Sequence, residues 1–142
     1  MRIPRVVLAG LVGGMLAISG AAFQGVFRNP LADPYLLGVA AGAGLGATLA
    51  IAYLPDQAGW PVSPLPLAAF AGAVLGVSVT YVLGRSATRS FAAATLILAG
   101  VAVAAFLTAT QTFIQQQNTD TFREVFAWIL GALSTVGWTE VT

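Results

Sequence analysis

The sequence contains no cysteine, no histidine and no lysine, and charged residues fill only 8% of its 142 positions. Without cysteine or histidine there is no disulfide and no thiolate or imidazole metal site. Without lysine there is no G-x-x-x-x-G-K-[ST] phosphate loop, so ATP is not handled here in the usual way. No Ser/His/Asp or Cys/His set exists, so no catalytic residue, cofactor or metal site is expected. The six basic residues are scattered arginines against five acids, which make no basic face for nucleic acid. A soluble domain carries about 25% charged residues. This chain is 58% hydrophobic with mean hydropathy +0.87, too few charges to clothe a water-facing surface.

What is present is length of apolar sequence. Four stretches, near 6–27, 35–54, 65–84 and 91–114, each exceed the roughly 18 residues that a membrane span needs and hold no Asp, Glu, Lys, Arg or His. Backbone groups in lipid must be satisfied inside the segment, so helix is expected. The stretches do not alternate polar with apolar residues, as barrel strands would. Proton-coupled carriers and voltage sensors keep charges inside their spans; a neutral path with energy supplied elsewhere fits better. The connections Arg28–Pro34, Pro55–Pro64 and Arg85–Ser90 are short and imply antiparallel neighbours in one bundle. Alternation puts three arginines on each side, so the positive-inside rule does not choose an orientation.

After the fourth stretch the pattern changes. Thr121 and Glu124 fit a capping box, and Phe122, Val125, Phe126, Ile129, Leu130 and Leu133 follow at helical spacing. A short amphipathic helix over 120–133 is expected, lying at the membrane surface or plugging the end of the bundle, with Gly137 breaking the pattern and Trp138 as an interfacial anchor. Glycines recur four apart at Gly10 and Gly14, at Gly38, Gly42 and Gly46, and at Gly72 and Gly76, strips that let helices approach closely. Thr108, Gln111 and Thr112, continued by Gln115, share one face of the fourth stretch. They serve either hydrogen bonds between helices or a wet path beside the span.

The string S-G-A-A-F-Q-G-V-F-R-N-P-L-A-D-P at 19–34 closely resembles the permease subunit of ABC importers for iron–siderophores, haem and cobalamin. R-I-P-R-V at the start, L-L-G-V-A-A-G-A-G-L-G at 36–46, L-I-L-A-G-V-A-V at 96–103 and F-A-W-I-L-G-A-L-S at 126–134 add weaker matches in the same order. The resemblance implies an all-α, polytopic transmembrane helix bundle: four spans plus a short interfacial helix within a larger ten-span permease fold, with 1–142 as a partial transmembrane domain. It implies that the family's first span and everything after its fifth are missing, through a fragment, a misplaced start or a split gene. Arg2 and Arg5 then lie outside, and Arg28, Arg85 and Arg89 in the cytoplasm.

The same resemblance implies roles. Arg2 and Arg5 dock an acidic solute-binding protein. Asn29, Pro30 and Leu31 form part of a cytoplasmic gate, whose other part lies at Ala93 and Ala94. Thr108, Gln111, Thr112 and Gln115 line the translocation path. Implied partners are a second permease subunit, cytoplasmic ATP-binding subunits, a periplasmic or lipid-anchored solute-binding protein and the lipid bilayer, in a bacterial inner (plasma) membrane crossed several times. Half a bundle is expected to be unstable or inactive alone. Two other readings are a small self-contained membrane protein that uses its spans for packing, and an exported protein whose first stretch is a cleaved signal ending near Ser19-Gly20-Ala21.

Overall fold

The computed structural model describes residues 3–30, 32–54, 63–87 and 93–131, and every regular element among them is helical. The order is α1 (Ile3–Phe27), a 3-10 turn (Pro34–Leu37), α2 (Val39–Tyr53), α3 (Pro64–Ala87), α4 (Ala93–Gln117) and α5 (Thr119–Leu130). Of these, α1, α3 and α4 are long and apolar enough to cross a membrane, and α2 is a shorter apolar helix. The chain divides into two compact units, one of Met1–Asp33 with Ala127–Thr142 and one of Pro34–Phe126.

The expected second span is not one continuous helix. Pro34 starts a 3-10 turn, Gly38 follows at φ 75°, and only then does α2 run for 15 residues. A positive φ suits glycine, which has no Cβ to clash with the neighbouring carbonyl. The span bounds shift elsewhere too. Ser63 caps α3 by accepting the Leu65 N–H (3.4 Å), and Pro64 takes the first helical position, where its missing N–H costs nothing. Helix α3 then continues through Arg85 and Ser86 to Ala87, residues expected in a link. The rest of the Pro55–Pro64 and Arg85–Ser90 connections lies outside the described residues.

At the far end of α4, Asn118 closes the helix with its backbone N–H and its side-chain amide, both donating to the Ile114 carbonyl (3.2 and 3.1 Å). Helix α5 begins at the next residue. Its apolar stripe exposes Phe122, Phe126, Ile129 and Leu130, and the rings of Phe122 and Phe126 stack one turn apart with centroids 6.0 Å apart. The helix stops at Gly131 (φ 69°), a left-handed C-terminal glycine that ends helices, rather than reaching Leu133 as expected. Leu133, Gly137 and Trp138 lie outside the described residues.

Within Pro34–Phe126, α2 packs on both α3 and α4, and α3 packs on α4. Small residues make this possible. A methyl group at Gly42 would fall on the Gly72 carbonyl, one at Gly72 on the Gly42 carbonyl, and one at Gly46 on the Ala68 carbonyl. The backbones of α2 and α3 are therefore in direct contact. Such closeness replaces the hydrophobic drive that lipid does not supply between helices. Buried Thr48 returns its hydroxyl to the Gly44 carbonyl at 2.8 Å, which satisfies it inside its own helix.

Candidate functional site

Helix α1 ends in a built turn. Arg28 takes φ 48°, its N–H donates to Gly25 (3.4 Å), and the Asn29 N–H donates to Gln24 (3.2 Å). These are the paired bonds of a Schellman motif, with arginine at the left-handed position that usually holds glycine. The Ala32 N–H then donates to the Asn29 carbonyl at 3.1 Å, closing a four-residue turn with Pro30 in second place. Proline suits that position because its ring already fixes φ. Asn29 and Pro30 are exposed; Leu31 lies outside the described residues.

The chain then enters the second unit through the 3-10 turn, whose carbonyls meet α3 and α4 one after another. The Leu36 carbonyl occupies the place of a Cβ on Gly100 of α4. The Leu37 carbonyl accepts the Thr80 hydroxyl of α3 at 3.1 Å, and Thr80 is only 1% exposed. The Gly38 carbonyl lies 2.7 Å from where a Cβ on Gly76 would stand. Thr80 and Gly100 each sit about two helical turns inside the ends of their helices. Irregular backbone at such depth requires protein partners, and these three supply them. The sequence reading singled out neither Thr80 nor Gly100 for this seat. A hydroxyl within an apolar stretch that also holds Ser78 and Tyr81, and Gly38 four residues after Pro34, were the available signals.

The four path candidates on α4 do not share one environment. Gln111 is 9% exposed, and its amide oxygen would lie 2.8 Å from a Cβ on Gly44 of α2. Thr108 and Thr112 are exposed and Gln115 is half-buried. The Thr112 hydroxyl donates to the Thr108 carbonyl at 2.9 Å. Ala93 and Ala94 are exposed in the first turn of α4, and Arg5 is exposed in the first turn of α1; Arg2 lies outside the described residues. An apolar cleft of about 820 Å³ opens along α2, α3 and α4, walled by Leu45, Leu49, Leu75, Val79, Val103 and Phe106. Among the described residues no three acids, histidines or cysteines gather as metal ligands.

Residues 1–142 match the model of the FecCD transport family throughout. The chain is 41% identical over 144 residues to YvrB, an uncharacterised ABC transporter permease of Bacillus subtilis, covering 99% of this chain and 40% of that protein. It is 41% identical over 141 residues to the cobalamin import permease BtuC of Halobacterium salinarum (99% and 37%), and 38% identical to the iron(3+)-hydroxamate import permease FhuB of B. subtilis (99% and 36%). The chain thus spans about two-fifths of the length of these relatives. A solved structure described as the inward-facing conformation of a metal-chelate type ABC transporter superposes with TM-score 0.78 at 27% identity, over 99% of this chain and 43% of that one.

Proposed function

The chain belongs to the FecCD transport family, and from that premise we propose that it is membrane-spanning permease sequence of an ATP-driven importer for iron–siderophore, haem or cobalamin-type chelates. The observation that carries this reading is the match over all 142 residues, joined to a helical arrangement shared with a metal-chelate transporter. The relatives named for cobalamin and for iron(3+)-hydroxamate supply the cargo class. In this reading ATP hydrolysis belongs to separate cytoplasmic subunits. A second permease subunit and a solute-binding protein complete the assembly, in a bacterial inner membrane.

The residue roles follow the same reading. Arg2 and Arg5 face the solute-binding protein, where exposed charge steers and registers an acidic partner. Asn29, Pro30 and Leu31 act in the cytoplasmic gate, as do Ala93 and Ala94. A turn fixed by a Schellman motif and a proline suits a constriction that must not collapse into helix. Thr108, Gln111, Thr112 and Gln115 are the path residues on α4. The stretch Pro34–Tyr53 counts as a span through its combined 3-10 and helical parts, giving four spans, and α5 lies at the outer interface, all within a ten-span fold.

Sidedness tests the reading. Because the sequence has no cysteine, a single Asn29→Cys reports without background. A membrane-impermeant maleimide is expected to label it in inverted vesicles and not in right-side-out ones. Labelling from the outer face alone overturns the assignment.

A further inference from the structure

We propose that Thr80 is a positioning residue for the 3-10 segment that follows the proposed gate in the chain: its hydroxyl holds the Leu37 carbonyl and so keeps Pro34–Gly38 seated on α3 and α4. The functional meaning rests on reading Asn29–Leu31 as a gate; the seat itself rests on geometry alone. The segment that leaves the turn is 3-10 rather than α-helical: the Tyr35 carbonyl accepts the Gly38 N–H (3.3 Å) and the Gly38 carbonyl the Gly42 N–H (2.9 Å), while the Leu36 and Leu37 carbonyls meet α4 and α3. Only one of the three that reach α3 and α4 accepts a conventional hydrogen bond there, and Thr80 donates it (3.1 Å). The other two rest on glycines, Leu36 on Gly100 and Gly38 on Gly76. Contacts of a carbonyl with a glycine Cα are weak and bring no strong donor. The Thr80 hydroxyl therefore ties this segment to α3 through a buried hydrogen bond, and Gly38 at φ 75° gives the chain a pivot directly after it.

The polar group is also costly to leave without a partner. At this depth no water replaces a lost donor, so the Leu37 carbonyl favours leaving the seat when the hydroxyl is removed. Thr80→Val keeps the branched shape and deletes the donor, whereas Thr80→Ser keeps the donor and deletes a methyl.

The test uses the 142-residue chain in membranes, with N-ethylmaleimide as probe. A cysteine at Leu37, which is 8% exposed, reads the seat. A cysteine at Ala50, 2% exposed in the same helical unit, reads the integrity of the packing around it. In the Thr80→Val background the Leu37→Cys alkylation rate is expected to rise roughly fivefold, the factor for one hydrogen bond. It should stay at the Thr80 level in the Thr80→Ser background, with Ala50→Cys unreactive in both. No rise in Thr80→Val overturns the proposal. So does an equal rise at Leu37→Cys and Ala50→Cys, which would make Thr80 a general packing residue. Failure of the gate reading is separable, because it appears as outward labelling of Asn29→Cys while the Thr80→Val effect persists.

Discussion

Helices α1 and α2 carry the same signature, glycines four residues apart, and put it to different use. Around Gly10, Gly13 and Gly14 of α1 there is open space to 4 Å, whereas Gly42 and Gly46 of α2 lie directly against carbonyls of α3. The 18-residue apolar window of α1 is 0% buried, while α2 buries Gly42, Gly44, Gly46, Ala47, Thr48 and Ala50 within its 15 residues. Spacing thus tells which face of a helix can be approached closely, and the neighbouring backbone decides whether it is. In a membrane the distinction matters more than in water, since close packing is the main force that joins helices there.

The contrast can be broken by substitution. Gly42→Ala or Gly72→Ala drives a methyl into the facing backbone and should destabilise the Pro34–Phe126 unit by about 2–3 kcal/mol, read by helix unfolding in detergent. Equal tolerance at Gly42 and Gly14 would abolish the comparison. Gly14→Ala meets nothing and raises helix propensity, so stability should be unchanged or improved by up to about 1 kcal/mol. Arg28→Gly sharpens the contrast at a helix end: α5 closes on Gly131 in the left-handed region, α1 on an arginine. Relief of that conformation should stabilise the turn by about 1 kcal/mol, and slower exchange of the Asn29 amide would report it. The smallest effect is expected for Gly44→Ala, two residues from Gly42. Its methyl meets the flexible end of Gln111 rather than backbone, so a loss of about 0.5 kcal/mol should suffice, with Gln111 swung toward the surface and open to detection by NMR of its side-chain amide.

Much of this was legible in the sequence, for reasons that can be named. Runs of about 20 uncharged residues that do not alternate favour helix in lipid, and the turn formers in Arg28–Pro34 and Pro55–Pro64 marked the end of α1 and the start of α3 closely. The break at Gly38 was hidden, because an apolar run gives no periodic contrast to separate a 3-10 turn from an α-helix. The end of α5 was hidden behind a stripe that continues to Leu133 although Gly131 intervenes. On α4, Thr108, Gln111 and Thr112 share a face by spacing, but that face straddles the edge of the contact with α2, so Gln111 is covered and the threonines are not. A helical wheel gives direction; it does not give the width of the neighbour.

The break at Gly38 also sets a length. Fifteen residues of α2 rise about 22 Å, against a hydrocarbon layer of about 30 Å. On the proposed reading of Pro34–Tyr53 as one span, the 3-10 segment, whose Gly38 N–H donates to the Tyr35 carbonyl, makes up part of the difference. On that reading thin bilayers relieve the mismatch at α2, and long acyl chains put their strain on the Pro34–Gly38 segment.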